Sequence, residues 1–235
     1  MSTPDTGAAD AAASSRFTQA YQDLRNLIVS GHFPPNARLT EAELTNRLDV
    51  SRGTIRSVLV RLAQEGYVTS EPNRGVRTRV FTIEEAAAVL EAREVLESAL
   101  AAKAAVHATE PELAELADIC AKMGDAEDAH DEAEYSRLNR CFHRHVRTIA
   151  RQPILSGFVD VLVYPLVMRQ FRDLARSHPR ANSLNEHCAV LAALLTHNPD
   201  AAAAAMRHHV ASARRALLLN TASDEEGDAP DRAPG

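Results

Sequence analysis

The sequence predicts a mainly α protein in two parts: an N-terminal winged helix-turn-helix domain followed by an all-helical antiparallel bundle. Three observations carry this reading. Residues 20–80 read as three short helices and then two β-rich runs. Residues beyond about 82 show helical apolar spacing and capping signals with no convincing strand. Charge is also divided unevenly between the two parts.

In the first part, Tyr21, Leu24, Leu27 and Ile28 recur at helical intervals, and Ser30-Gly31 followed by Pro34-Pro35 ends that helix. Thr40, with Glu43 three residues on, opens a second, shorter helix that carries Leu44 and Leu48. The Asp49-Val50-Ser51 turn leads into a third, with Ser51 as N-cap, Ile55, Val58, Leu59 and Leu62 facing inward, and Gly66 as its stop. This is the helix-turn-helix layout. Residues 67–69 and 76–80 are β-rich and flank Glu71-Pro72-Asn73-Arg74-Gly75, a turn-rich connection suited to a two-stranded wing.

In winged-helix domains the start of the second motif helix reaches base edges in the major groove, which makes Ser51, Arg52, Gly53, Thr54 and Arg56 candidate readers. An arginine fork matches guanine O6 and N7. The alternative is that Arg52 and Arg56 only solvate an exposed helix face. Charge favours DNA. Residues 16–80 hold ten Arg against six acids, a balance of +4, inside a chain whose net charge is −6. Residues 81–221 balance at −4, so the acidic total hides a basic domain that would face phosphate.

A length of 235 residues allows two domains. No stretch is long and apolar enough for a membrane span and the N-terminus has no hydrophobic signal core, so a cytoplasmic protein without a membrane partner is expected. Cys120, Cys141 and Cys188 are widely spaced with no paired metal or resolving pattern, so reduced buried thiols are expected. Residues 1–15 and 222–235 have the composition of disordered tails, leaving domains at 16–81 and 82–221.

The second domain reads as six helices. Thr82 and Glu85 cap the first, which carries Val89, Leu90, Arg93, Leu96, Leu100 and Ala104 and ends near His107. Thr109 and Glu112 open the second. The third runs from about Ala126 to Ala150, and Pro153 suits the first turn of a fourth with Leu155, Phe158, Leu162 and Leu166. The fifth spans about Leu184 to Thr196, and Asn198-Pro199 opens the sixth, which ends near Asn220. Asn139 and His143 are four apart and share a helix face, while His187 and His209 lie on the last two helices. Imidazoles from three helices can converge on one buried divalent metal with an open position for a ligand, although an isolated helical His is more often a core or surface residue.

Leu24-Arg25 with Ile28 and Gly31, the run Phe33-Pro34-Pro35-Asn36-Ala37-Arg38-Leu39, Val50-Ser51-Arg52, Arg56, Arg61-Leu62, Glu65-Gly66 and Gly75 resemble the N-terminal domain of GntR-type bacterial transcription regulators. Arg38, Arg74 and Gly75 join the candidate DNA contacts. Asn36 stands where the family usually has Gly, and Asn is the next best residue at positive φ. Ser57-Val58 replace the family's usual Glu-Ala, which limits any transfer of operator sequence.

In the second domain, residues 93–97, 139–143, 186–187 with Leu191 and Ala193, and 206–210 resemble the FCD ligand-binding domain of the FadR subfamily, in its six-helix, VanR-like form. The resemblance implies a divalent metal (zinc, nickel or manganese) held by Asn139, His143, His187 and His209, with Asn139 replacing the usual Asp and lacking its charge. It also implies a small organic acid beside the metal, gripped by Arg93 through paired hydrogen bonds unless Arg93 instead pairs with Glu97 at i+4. Tyr164 and Arg169 on the fourth helix are further candidate effector contacts.

The expected function is a homodimeric transcription regulator that an organic acid releases from a palindromic operator. A metal-dependent hydrolase using the three His is the rival from another class, and a DNA scaffold with an empty bundle is a third. The hydrolase lacks an assignable general base and leaves the winged helix unexplained. The scaffold leaves Arg93 and the histidines without purpose.

Overall fold

The protein is described by a computed structural model covering residues 6–71, 75–171 and 183–227. In chain order the described elements are α1 (Thr6–Ser30), β1 (Arg38–Leu39), α2 (Glu41–Leu48), α3 (Arg52–Gln64), β2 (Val68–Glu71), β3 (Gly75–Thr78), α4 (Ile83–His107), α5 (Glu110–Asp128), α6 (Glu132–Ile149), α7 (Pro153–Val161), α8 (Tyr164–Gln170), α9 (Ser183–Leu195) and α10 (Pro199–Gly227). They divide into two units. One holds the chain up to Phe81 together with Val163–Gln170, and the other holds Thr82–Leu162 and the residues from Phe171 onward.

In the first unit, helical spacing buries Leu24 and Ile28 of α1 against Leu44 of α2 and Ile55, Val58, Leu59 and Leu62 of α3. Each such side chain contributes about 1.5–3 kcal/mol of transfer free energy. The caps fall where the side chains predict them. The Thr40 hydroxyl accepts from Glu43 N, Ser51 accepts from Thr54 N, and Gly66 stops α3 at φ 79°. Asn36 takes φ 62°, as expected for the residue standing in for glycine. The wing is three-stranded, in the antiparallel order β1-β3-β2, because Arg38 and Leu39 pair with Arg77 and Val76. The two-stranded expectation missed this two-residue strand, which is too short to show an alternating pattern.

In the second unit, Thr82 and Glu85 form a reciprocal capping box on α4, and the Glu112 carboxylate takes both the N–H and the hydroxyl of Thr109 ahead of α5. The helix α4 is the spine. Its most extensive packing is with α10, and α6, α7 and α9 also lie against it. Leu90, Leu100, Leu113, Leu116, Met123, Phe142, Ile149, Val190, Leu194 and Met206 fill the core.

Three expectations are corrected. The helix α1 begins at Thr6, inside the supposed tail, because Ala8, Ala9, Ala11, Ala12 and Ala13 favour helix, and α10 runs on to Gly227. The helix α6 starts at Glu132 rather than near Ala126, since residues 126–128 complete α5, His130 turns at φ 53° and Asp131 caps the new start. The fourth bundle helix breaks at Val163, where φ is 47°. Beyond the break, α8 buries Leu166 and Val167 within the first unit.

That packing of α8 depends on Gly31. It follows the end of α1 at φ 86°, and both its N–H and that of His32 bond to the Leu27 carbonyl. The Arg169 guanidinium occupies the place where a Cβ on Gly31 would stand, and it donates to the Gly31 carbonyl at 2.9 Å. Gly31→Ala should therefore cost more than the roughly 1–2 kcal/mol of the positive φ alone, because Arg169 must also be displaced. Urea denaturation measures the loss. A loss no larger in Gly31→Ala than in Gly31→Ala combined with Arg169→Ala would count against the contact.

Candidate functional site

The cap that starts α3 also shapes its exposed end. Ser51 Oγ accepts from Thr54 N at 3.1 Å and shares a bond with the Thr54 hydroxyl at 2.9 Å, so these two residues hold the first turn. Arg52 and Gly53 project from that turn and are exposed. Arg56 is exposed too, but its Nε donates to Glu41 of α2 at 2.7 Å, which orients the guanidinium across the helix-turn-helix. Arg38 is exposed on β1, and Gly75 opens β3 at φ 79°. Arg74 lies outside the described residues.

The second unit gathers three imidazoles. His143 of α6, His187 of α9 and His209 of α10 are buried, and their candidate ligand atoms lie within 4.8 Å of one another. Each faces inward because its helix neighbours are apolar: Phe142 and Val146, Val190 and Leu191, Met206 and Val210. Phe142 packs edge-on against the His187 ring, with centroids 5.0 Å apart.

Each ring is also held from behind. His143 Nδ1 bonds to the Glu97 carboxylate, His209 Nδ1 lies 3.0 Å from Glu186 Oε2, and His187 Nδ1 lies 2.6 Å from the Ser183 carbonyl. Carboxylate and carbonyl oxygens only accept, so the three Nδ1 atoms donate, and in a neutral ring the Nε2 atom then keeps its lone pair. His143 Nε2 and His209 Nε2 are 3.2 Å apart, and His187 Nε2 is 3.2 Å from Asn139 Oδ1. Facing lone pairs repel, and a shared cation turns that repulsion into coordination. Two nitrogens bound at about 2.1 Å stand about 3.0–3.4 Å apart at octahedral to tetrahedral angles, so the spacing fits an ion.

Burial pushes the His143 imidazole down to about 4 against the pull of Glu97, so the ring is neutral at pH 7, the form that binds metal. Burial also pushes the Glu97 carboxyl up. The charge of Arg93 and the N–H bonds from His143 and Arg93 more than offset it, holding Glu97 well below the usual carboxylate range.

Asn139, His143, His187 and His209 are thus brought together, as the resemblance to the FCD domain implies. Arg93 is placed otherwise: its Nε is bonded to Glu97, the i+4 alternative. Tyr164 and Arg169 lie beyond the turn at Val163, in the first unit, where Arg169 donates to the Gly31 carbonyl. The cysteines are corrected as well, because only Cys120 is buried, Cys141 is half-buried and Cys188 is exposed. Sequence reading missed Glu97 and Glu186 as supports of His143 and His209. Glu186 adjoins His187 in the chain, but no spacing rule joins it to a histidine 23 residues away on another helix. Both acids are engaged with imidazole Nδ1 atoms, which argues against either acting as the base of a hydrolase. A surface cleft of about 320 Å³ is lined by Lys122, Arg137, Cys141 and Arg144 and by none of the three histidines of the cluster.

Removing Arg93 leaves the Glu97 charge buried without its ion-pair partner, so Arg93→Ala should cost about 3–5 kcal/mol. Adding Glu97→Gln should recover part of that loss because the charge goes too. Denaturant midpoints of the two variants check this, and equal losses would count against a coupled pair.

Residues 88–212 match the FCD domain family, and residues 17–78 match the family described as bacterial regulatory proteins, gntR family. The Nta operon transcriptional regulator of Aminobacter aminovorans is 33% identical over 117 residues, covering 50% of this chain and 55% of that protein, about half of each. The HTH-type transcriptional repressor RspR of Escherichia coli K12 is 24% identical over 78% of this chain and 80% of its own. A structure described as that of a GntR transcriptional regulator from Rhodococcus sp. RHA1 superposes with a TM-score of 0.71 at 26% identity, over 87% of this chain and 98% of that one. Among the described residues no helix is long and apolar enough to cross a membrane. With an FCD domain spanning more than half its length behind a matching DNA-binding domain, the chain belongs to the gntR family of bacterial regulatory proteins as an FCD-type, ligand-binding transcription regulator and not an enzyme.

Proposed function

We propose that this regulator is a cytoplasmic homodimeric repressor, released from a palindromic operator when a small organic acid reaches a divalent metal held by Asn139, His143, His187 and His209. One observation carries the reading: every histidine of the cluster has its Nδ1 engaged by an acceptor, which in the neutral rings leaves three Nε2 lone pairs converging at a buried point. Acceptors behind the rings fix their tautomer and raise ligand basicity. A bound ion would supply positive charge and an open position at which a carboxylate can bind.

Asn139 contributes an oxygen without charge, yet Glu97 and Glu186 stand directly behind two of the rings and supply negative charge there. A set of three nitrogens and one oxygen suits zinc or nickel, with manganese the weaker match. Arg93 serves first as the counter-ion of Glu97, which moves the weight of effector recognition from Arg93 to the metal position. An effector acts by binding one arrangement of the protein better than another. The repressor sign draws support from RspR, a relative named as a repressor.

A two-fold protein meets a two-fold operator, each winged helix taking one half-site. Ile154, Phe158 and Val161 leave an apolar stripe exposed along α7, surface of the kind a subunit interface buries. Arg52, on the exposed first turn of α3, is the foremost base reader, and Arg56 adds to it once its bond to Glu41 exchanges for DNA.

Arg52→Ala should weaken operator binding by about 1–3 kcal/mol with helix content unchanged. Anisotropy titration of a labelled operator measures this, and an unaltered affinity would remove α3 as the reading helix. For the metal, calorimetric titration of chelator-treated protein should show about one zinc or nickel per chain, lost in His143→Ala, His187→Ala or His209→Ala and tightened in Asn139→Asp. Protein that takes up neither metal nor manganese at neutral pH would overturn the metal reading and leave the DNA reading standing.

A further inference from the structure

The helices α5 and α9 pack against each other in the second unit, and their contact brings together two cysteines 68 positions apart in the chain. The anchor point is Gly124 of α5, where a Cβ would meet Leu184 of α9 at 3.7 Å, so α9 approaches at a residue with no side chain of its own. One turn further along each helix, in opposite directions, stand Cys120 and Cys188. That register sets Cys120 beside Cys188, close enough for the Cys188 side chain to raise the Cys120 thiol. Cys120 is buried and Cys188 is exposed.

We infer that Cys188 and Cys120 form a peroxide-reactive dithiol that closes into a disulfide across α5 and α9. The division of labour follows from exposure. Solvent reaches Cys188, so its sulfur attacks one peroxide oxygen. The O–O bond breaks and the hydroxide leaves with the thiol proton as water, giving a Cys188 sulfenic acid. The Cys120 sulfur then attacks the sulfenic sulfur, the S–O bond breaks, and the hydroxyl leaves with the Cys120 proton as a second water. Two thiols give up two electrons to one peroxide.

Cys120 suits the second step and not the first. Burial keeps it from peroxide in solvent and, with Cys188 beside it, pushes its thiol up to about 12, so the electrophile it meets is the sulfenic sulfur formed next to it. The third cysteine has different company: Arg144 Nη2 lies 3.4 Å and Arg137 Nη1 3.8 Å from Cys141 Sγ, with no second thiol at that cleft. The disulfide would join α5 to the turn of α9 that carries His187, whether or not a metal is bound.

The test treats the reduced full-length chain with one equivalent of hydrogen peroxide, alkylates the remaining thiols after denaturation and maps tryptic peptides by mass spectrometry. The expected product joins peptide 104–122 to peptide 181–207 within one chain, removes two of the three alkylatable thiols and reverts with dithiothreitol. Cys188→Ser, a surface change, should keep both remaining thiols alkylatable, and Cys120→Ser should stop Cys188 at a sulfenic acid that dimedone traps. Three thiols retained in the wild type, a linkage through Cys141 or between chains, or Cys188 carried to sulfinic acid without the linked peptide would overturn the inference.

Discussion

The second unit is organised around one buried carboxylate. Glu97 lies 2% exposed in the middle of α4, the helix on which most of the bundle packs, and an isolated charge there would carry a large desolvation cost. Arg93 one turn away and His143 on α6 together make the position tenable. The same bond that satisfies Glu97 fixes the His143 tautomer and aims Nε2 at His209 and His187. Charge burial, helix docking and ligand geometry are therefore one constraint seen from three sides. Glu186 repeats the device behind His209, and the Ser183 carbonyl serves His187 in neutral form.

The first unit solves a different problem. Its motif helices α2 and α3 are short, and α3 must stay exposed at its N-terminal turn while its other face builds a core. Ser51 and Thr54 use local hydrogen bonds to hold that turn, leaving Arg52 and Gly53 outside. The core borrows from a distant stretch of chain: α8 adds Leu166 and Val167, and the Gln170 amide pairs with both the N–H and the carbonyl of Phe81, at 2.8 and 2.6 Å. A segment lying between bundle helices in sequence thus belongs to the DNA-binding unit in space. The chain therefore passes between the two units three times, at Phe81-Thr82, Leu162-Val163 and Gln170-Phe171.

Much of this protein was settled by local chemistry that a sequence displays. Helix starts at Thr40, Ser51, Thr82 and Thr109 follow from hydroxyls that reach a backbone N–H or a carboxylate within one turn, and Asn36 and Gly66 mark positive-φ turns because few residues adopt them. Inward faces follow from the 3.6-residue period, and the resemblance to the FCD domain is what nominated His143, His187 and His209 together. Tertiary structure decided whatever depends on which helices become neighbours: Glu97 and Glu186 behind the imidazoles, Arg93 spent on Glu97, Cys120 beside Cys188, and Tyr164 and Arg169 carried into the first unit by a break at Val163. The physical reason is that periodicity specifies the face a side chain occupies but carries no information about the partner opposite, which the packing of distant segments alone selects.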